Sequence, residues 1–429
     1  MAATRNVIQI TTHDSGRHFG CYGHETLHTP NIDEFAADGV RLTHYFATVP
    51  ICSASRATML TGRYPQSHGQ MDLPGFGWAM NEDERHITHI LRAAGYRNLL
   101  FGIQHEVADV QRLAFDDVCL HRDPCDRIAG EVSRFLLDEA AEAQPFYLQV
   151  GFFETHTPFN FGGVEPDDSK GIEVPPYLVD NAASRDAMAR FQGAIRKVDE
   201  AVGIILDALA RSGLEDNTLI VFTTDHGIEM PRAKWFLYDP GIAVALVARS
   251  PADGITGGRV CDLLLSNVDY LPTILTLAGI DIPDGVQGHS FAGALRGQSD
   301  AALRDAVFAM YHKTHTRCVR TRRYKLIRHF DSAFDYHVPV RLEDILMKRA
   351  IERVELFDLE SDPVETANLA HQPEWRSVQQ RLDGMLWEWM ESVADPLLAG
   401  PVRSPSYDAA LCDYAQWRGE RCRDDASRR

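Results

Sequence analysis

Short β-rich apolar runs, each ending in a polar turn and followed by a helical stretch, recur through the first 300 residues of the chain. The first such run is Asn6 to Thr12, which ends at His13-Asp14-Ser15-Gly16. This alternation is typical of an α/β fold, a largely parallel sheet with helices on both faces. Ligands bind outside the carboxyl ends of the strands in such sheets. We therefore expect the residues that directly follow the strands to form the functional site.

Five of these strand ends carry reactive side chains. The strands are predicted over residues 6–12, 40–49, 96–101, 145–153 and 218–224, and the side chains that follow them are His13-Asp14, Cys52, His105, His156 and Asp225-His226. Because the carboxyl ends of parallel strands meet at one edge of the sheet, we expect these side chains to converge. A helix is predicted over Ala182 to Ser212, where apolar residues recur at helical spacing.

A change in composition near Gly297 marks a second, smaller unit. Three short strands are predicted there, over Val307–His312, Cys318–Arg328 and Val354–Leu359, and a long helix over Gln372–Asp395. We therefore predict a catalytic α/β domain over residues 1–300 and a C-terminal α+β subdomain over residues 301–429, with an antiparallel sheet and a covering helix.

Composition excludes several classes of function. The net charge of −18 argues against a nucleic-acid surface, because phosphate contacts need clustered Lys and Arg. No run of about 18 apolar residues is present, so we predict no membrane span. The eight cysteines form no CxxC pair, which argues against a structural zinc site. The first residues lack the apolar region of a signal peptide, so we predict a reduced, cytoplasmic protein.

The stretch Ile51 to Arg63 combines a candidate nucleophile, Cys52, with a guanidinium group, Arg56. It follows Pro50 and reads as a short helix, with Ser53 and Ser55 as candidate N-cap residues and Gly62 at its end. Cys52 would then lie at a helix N-terminus, which favours an anion, with the guanidinium of Arg56 one turn further on. A buried structural cysteine is the simplest alternative. A phosphatase-like thiolate is another, although its loop needs a longer Cys-to-Arg spacing.

The motif Cys52-Ser53-Ala54-Ser55-Arg56, followed by Leu60-Thr61-Gly62-Arg63, resembles the signature of the type I sulfatases of the alkaline phosphatase superfamily. Further stretches are similar to the N-sulfoglucosamine sulfohydrolase (heparan N-sulfatase) branch; they are Phe222 to Ile228, Leu237 to Gly241, Tyr324 to Ile327, Glu355 to Leu359 and Asp362 to Leu369. The resemblance implies that Cys52 is oxidised to formylglycine, whose hydrate supplies the attacking oxygen. It also implies a formylglycine-generating maturation enzyme, although Ala54 stands where the family commonly has proline.

The resemblance also implies a site for one divalent metal ion. Its predicted ligands are Asp14, Cys52 (as formylglycine), Asp225 and His226, with His13 as a further candidate. Calcium is the usual metal of the family, but the family motifs commonly have an oxygen ligand where this chain has His13 and His226. Because nitrogen donors favour manganese or zinc over calcium, these two metals are the alternatives.

Four further residues are carried over from the family pattern as catalytic with Cys52. Arg56 would support the formylglycine hydrate, Lys234 would contact the sulfate, and His105 or His156 would protonate the leaving group. One departure concerns Ile103, which occupies the position of a lysine in the Lys-x-His motif of the family.

These observations predict a sulfatase that hydrolyses a sulfate ester or an N-sulfate (sulfamate) of a small sugar or amine. A phosphodiesterase or phosphonate monoester hydrolase with the same site is the alternative, because related enzymes share the Asp-His pair. A third reading is a non-catalytic homologue in which Cys52 stays unconverted. The sequence leaves the number of subunits open, a homo-oligomer included.

Overall fold

The structure is a computed structural model of the 429-residue chain. It describes residues 5–119, 122–140, 144–298, 301–331 and 351–418. The predicted domain boundary at residue 300 coincides with residues 299–300, which lie outside the described residues, and the boundary stays a prediction.

Fourteen strands and eleven α-helices lie within the described ranges. The strands are β1 (Asn6–Thr12), β2 (Val40–Leu42), β3 (Tyr45–Phe46), β4 (Arg97–Gly102), β5 (Asp117–Cys119), β6 (Phe146–Phe152), β7 (Thr218–Thr224), β8 (Leu246–Arg249), β9 (Arg259–Cys261), β10 (Leu265–Ser266), β11 (Val307–Tyr311), β12 (Thr316–Arg320), β13 (Tyr324–His329) and β14 (Val354–Asp358). The helices are α1 (Pro30–Asp38), α2 (Cys52–Thr61), α3 (Pro65–His68), α4 (Ile87–Ala93), α5 (Cys125–Arg134), α6 (Ala182–Ser212), α7 (Asp239–Ile242), α8 (Tyr270–Ala278), α9 (Ala292–Leu295), α10 (Arg376–Ser392) and α11 (Pro405–Trp417).

The main sheet has eight strands in the order β5-β4-β6-β1-β7-β8-β2-β9. Five of its seven neighbouring pairs are parallel, and the two that involve β8 are antiparallel. The predicted α/β class and largely parallel sheet are thus confirmed. β1 lies between β6 and β7, with Thr12 level with Phe152 and Thr224. This register brings the turns after β1, β6 and β7 to one edge of the sheet.

Helices cover both faces of this sheet, as the chain pattern predicts. On one face α1, α5 and α6 pack over Ile8 and Ile10 of β1. On the other face α4 and α8 pack over Val7 and the neighbouring strands. The apolar stripe of α6, from Phe191 to Leu209, is buried, and the bounds of this helix are those predicted.

The single strand predicted over residues 40–49 is wrong. The run 40–49 is two short strands in different sheets, because β2 pairs with β8 and β9 whereas β3 pairs with β10. Between them, Thr43 donates its hydroxyl to Asp262, so the chain turns instead of continuing the ladder. Elsewhere in the same domain, α5 is followed directly by a π-helical turn over Phe135–Glu139.

The C-terminal sheet is antiparallel, in the order β11-β12-β13-β14, and α10 packs against it. The predicted long strand 318–328 is in fact a hairpin of β12 and β13. Arg317 of β12 forms a buried bidentate ion pair with Asp395, which follows α10. Among the described helices, none is both long enough and apolar enough to cross a membrane.

Candidate active site

Cys52 is the first residue of α2 and is buried. Its Sγ lies 3.2 Å from Nε2 of His226 and 3.7 Å from Oδ1 of Asp14. The helix ends at Gly62, whose φ of 67° is the left-handed conformation that glycine adopts most easily. The predicted N-cap serines are wrong, because Ile51 is the N-cap and Ser53 and Ser55 lie inside the helix.

Ser55 does not cap α2, and its side chain instead forms hydrogen bonds to other elements of the site. Its hydroxyl donates to the backbone carbonyl of Asp225 over 2.5 Å, and Nδ2 of Asn267 donates to the Ser55 hydroxyl over 2.9 Å. Oδ1 of Asn267 in turn accepts from the backbone N–H of Thr48. These bonds fix the start of α2 to the turn that follows β7.

The turn after β1 brings two site residues to the same place. Asp14 has a φ of 45°, a conformation that L-residues seldom adopt, and its backbone N–H donates to Oδ1 of Asp225 over 2.9 Å. Nδ1 of His13 lies 3.3 Å from Oδ2 of Asp225. The two strand-end turns are therefore held together by Asp225.

Arg56 is the charged partner of Asp225. Its Nε lies 3.0 Å from Oδ2 of Asp225, and both side chains are almost fully buried. Glu106 is a buried carboxylate that also interacts electrostatically with Arg56, and Nε2 of Gln149 donates to it over 3.0 Å. Sequence reasoning missed Glu106, although it directly follows His105.

Lys234 lies between the buried carboxylates and the partly exposed His156. Its Nζ lies 2.7 Å from Oδ2 of Asp14, 3.0 Å from Oε2 of Glu229 and 3.5 Å from Nε2 of His156. Nδ1 of His156 lies 3.4 Å from Glu229. The sequence prediction also omitted Glu229, although its position in the chain between Asp225-His226 and Lys234 could have indicated that it belongs to the site.

Three histidines and an aromatic ring surround this cluster. The His13 ring centroid is 5.5 Å from that of His105 and 5.8 Å from that of His156. Phe153 stacks on His156 at 4.8 Å. Both ring nitrogens of His13 and Nδ1 of His105 are buried without a hydrogen-bond partner among the described residues.

The electrostatics of the cluster are dominated by buried charges of both signs. Burial would raise the pKa of Asp14, but the charge of Lys234 holds it well below its usual value. Burial would lower the pKa of Lys234, and Asp14 raises it well above its usual value. Burial raises the pKa of the Cys52 thiol. Burial, aided by the charge of Arg56, lowers the pKa of His105 to about 4.

The donor set fits a divalent metal ion. Ligand atoms of His13, Asp14, Cys52 and Asp225 all lie within 4.8 Å of one another. His226 adds Nε2 at 3.0 Å from Asp14. Nε2 of buried His13 is further evidence, because this atom has no partner among the described residues and a buried polar atom normally has one. A metal cation at this place would be such a partner.

The balance of charge also fits a cation. Three buried carboxylates, Asp14, Asp225 and Glu229, contact two buried permanent cations, Arg56 and Lys234. Burial would lower the pKa of His226, but Asp225 and Asp14 raise it well above its usual value, so the carboxylates favour a positive charge at this position. A divalent ion would supply such a charge.

All nine residues predicted for the site therefore lie in one cluster, although the role of each stays a prediction. They are His13, Asp14, Cys52, Arg56, His105, His156, Asp225, His226 and Lys234. An α/β sheet whose edge combines clustered carboxylates, a lysine and a helix N-terminus is the framework of a metal-dependent hydrolase that acts on an anionic group.

The comparison with protein families identifies the family to which the chain belongs. The family model described as Sulfatase matches residues 5–280, and the one described as N-sulphoglucosamine sulphohydrolase, C-terminal, matches residues 231–392. The chain belongs to the sulfatase family, as the Cys52 motif predicts.

One relative by sequence and two solved structures of the same fold are similar to this chain. The human N-sulphoglucosamine sulphohydrolase is 26% identical over 470 residues, which cover 93% of this chain and 92% of the relative. The structure of BT4656 in complex with its substrate D-glucosamine-2-N,6-O-disulfate superposes with a TM-score of 0.73 at 19% identity, covering 91% and 98% of the two chains. The phosphonate monoester hydrolase of Agrobacterium radiobacter gives a TM-score of 0.72 at 21% identity, covering 91% and 96%.

Proposed function

We propose that the protein hydrolyses a sulfate ester or a sulfamate on a small sugar, with the side chain of residue 52 as the reacting group of the enzyme. The observation that carries this proposal is the position of Cys52, whose Sγ lies within 4 Å of both Asp14 and His226 at the N-terminus of α2. The human relative is named for its action on N-sulphoglucosamine, and BT4656 is described with a disulfated glucosamine as substrate.

We propose that Cys52 is converted to formylglycine by a maturation enzyme and that Asp14, Asp225 and His226 hold the metal ion, with His13 as a further ligand. The metal would supply Lewis acidity, and the hydrated aldehyde would supply an oxygen nucleophile. The imidazoles of His13 and His226 favour manganese or zinc over the calcium common in the family.

Lys234 and His156 have separate roles in this proposal. Lys234 is a buried fixed cation, placed to bind the sulfuryl oxygens and to stabilise negative charge as it develops on them. The side chain of His156 is 22% exposed and lies beside Lys234, so it can reach both the substrate and water. We therefore assign proton transfer to the leaving atom to His156 rather than to His105, because burial and the charge of Arg56 lower the pKa of His105 to about 4 and make it a poor proton donor near neutral pH.

Arg56 and Glu106 have a positioning role. The Nε–H of Arg56 is directed at Asp225, while its Nη2 is buried without a partner among the described residues. A polar group on residue 52, one helical turn earlier, would give Nη2 an acceptor. A hydrated aldehyde has such oxygens, and a thiol is a weak acceptor.

The second candidate function is hydrolysis of a phosphodiester or a phosphonate monoester. The pair Asp225-His226 favours it, because the imidazole replaces an oxygen donor of the family motif, and the fold is shared with a phosphonate monoester hydrolase. A third candidate, a non-catalytic homologue, rests on Ala54 and Ile103.

A panel of three substrates separates these functions. The protein is co-expressed with a maturation enzyme, the mass of the peptide that contains residue 52 is measured, and turnover of an aryl sulfate, glucosamine N-sulfate and an aryl phosphodiester is compared. The proposal expects conversion of Cys52 and the highest kcat/KM on one of the two sulfated substrates. A phosphodiester preference of tenfold or more supports the second function. A Cys52 that stays an unmodified thiol after co-expression, in a protein inactive on all three substrates, supports the third.

A further inference from the structure

Glu229 is a carboxylate in the part of the candidate site where an anion should bind. Its side chain is 2% exposed, and its Oε2 lies 3.0 Å from Nζ of Lys234 and 3.4 Å from Nδ1 of His156. The proposed function places both of these groups against the substrate. A carboxylate so close to them repels an anionic substrate, and none of the roles assigned above needs it.

The metal ion does not need Glu229 either. The ligand atoms grouped at the proposed metal site belong to His13, Asp14, Cys52 and Asp225. Asp14, His156 and Glu229 form another group whose ligand atoms lie within 4.8 Å of one another. The ammonium of Lys234 lies among these three side chains, 2.7 Å from Asp14 and 3.0 Å from Glu229. A cation of the protein therefore takes the place that a second metal ion would need.

Lys234 can bind an anion without giving up either carboxylate. An ammonium group has three N–H donors. Two of them meet Asp14 and Glu229, and the remaining neighbour is Nε2 of His156 at 3.5 Å, which is a long contact. Because the side chain of His156 is 22% exposed, an oxygen of the substrate can replace it as the third partner of Lys234.

This geometry limits how far the bound anion can lie from Glu229. A charge-assisted hydrogen bond from Nζ of Lys234 to a substrate oxygen spans about 2.7–2.9 Å. Because Oε2 of Glu229 lies 3.0 Å from the same Nζ, the two oxygens are at most about 6 Å apart. Both side chains are buried, so water and salt screen the repulsion only weakly.

The repulsion grows with the charge of the substrate. At an effective dielectric constant of about 20, two unit charges about 6 Å apart change an affinity by about a hundredfold. This factor applies once to a group with one negative charge and twice to a group with two. Sulfate esters, sulfamates and phosphodiesters carry one negative charge at the reacting group, whereas phosphate monoesters carry almost two near neutral pH.

We propose that Glu229 is a specificity-determining residue, which favours a tetrahedral group with one negative charge over a group with two. This inference rests on the proposed function, because it takes Lys234 as the cation that binds the substrate. It defines the substrate class of the site by charge. Sulfate esters, sulfamates and phosphodiesters belong to this class, and phosphate monoesters are selected against.

Titration calorimetry of the full-length protein, loaded with manganese, tests this inference with benzenesulfonate and phenylphosphonate. The two ligands share a ring and a tetrahedral head group, and neither has an ester bond to hydrolyse. At about pH 8.5 the sulfonate carries one negative charge and the phosphonate carries two. Glu229→Gln should raise the affinity for the phosphonate relative to that for the sulfonate by about fivefold or more, because the lost charge acts twice on the dianion.

Three variants serve as controls. Glu229→Asp keeps the charge and should change the ratio of the two affinities by less than about threefold. Glu355→Gln removes a buried carboxylate of the C-terminal sheet, which accepts from Tyr238 and contacts His329, and should change the ratio by less than about twofold. Glu229→Ala is a second neutral variant, which replaces Glu229→Gln if that protein folds poorly.

Lys234→Gln separates failure of this inference from failure of the proposed function. Weaker binding of both ligands by Lys234→Gln supports anion binding at Lys234. If the affinity ratio then rises by less than about fivefold in the neutral variants of Glu229, the specificity role of Glu229 is overturned while the proposed function stands. Affinities of Lys234→Gln equal to those of the wild type for both ligands overturn the inference together with the proposed role of Lys234.

Discussion

The substitution Arg56→Met tests the electrostatic core of the candidate site. In the wild type, Nε of Arg56 lies 3.0 Å from Oδ2 of Asp225, and the two side chains are at most 1% exposed. Removing the guanidinium leaves a buried carboxylate without its charged partner. Breaking a buried ion pair in this way costs about 3–5 kcal/mol of unfolding free energy.

The structure places the expected cost at the lower end of that range. Oδ1 of Asp225 still accepts two backbone N–H groups at 2.9 Å, from Asp14 and from His226. We therefore expect a loss of about 3 kcal/mol. With an unfolding entropy of about 2.1 cal/mol/K per residue over the chain, the melting temperature should fall by about 3 °C if the chain unfolds cooperatively.

Scanning calorimetry of chelator-treated protein measures this effect. Arg323→Met is the matched control, because Nε of Arg323 also lies 3.0 Å from its carboxylate partner, Asp358, but the side chain of Arg323 is 51% exposed. The control should leave the melting temperature unchanged within error, and added divalent metal should restore part of the loss in Arg56→Met. An Arg56→Met protein as stable as the wild type without metal would refute the reasoning.

Three further predictions concern proton transfer, the metal and pH. His156→Asn should slow turnover of a substrate with a poor leaving group by about 10²- to 10⁴-fold, because such a leaving group needs a proton. Turnover of a nitrophenyl ester should fall much less in steady-state kinetics, and equal losses on both substrates would contradict the role of His156. Dialysis against a strong chelator should abolish turnover and lower the melting temperature. Added manganese or zinc should restore both properties better than calcium does, and full activity in metal-free protein would contradict the metal site. Burial would raise the pKa of Asp395, but hydrogen bonds and charge from Arg317 lower it. This pair should therefore stabilise the fold above the unfolded Asp pKa of about 3.9 and lose that effect as pH falls through the lower folded pKa. The unfolding free energies of Arg317→Met and wild type, measured by urea denaturation, should differ at pH 6 and converge towards pH 3, and a constant difference would contradict this prediction.

Local patterns made the framework of the site predictable. Cys52, Asp14 and Asp225 each directly follow an apolar strand or its turn, and parallel strands bring such positions to one edge. The helix α6 was equally predictable, since its apolar stripe repeats at helical spacing over 31 residues.

Other features depend on contacts that no local pattern encodes. The connection from β7 to β8 contains only the four-residue helix α7 instead of the long crossover helix of a parallel pair, and β8 runs antiparallel to β7. Glu106 and Glu229 became site residues only when the fold set them against Arg56 and Lys234.

The central claim is that the converted side chain of residue 52 performs the hydrolysis, and its dependence on conversion is the most direct test. Preparations with different converted fractions, measured by peptide mass, are assayed for sulfate release from the preferred sulfated substrate, with Cys52→Ala as the reference. We expect the rate to rise in proportion to the converted fraction and to vanish in Cys52→Ala. A rate independent of conversion, or substantial turnover by Cys52→Ala, would contradict the account.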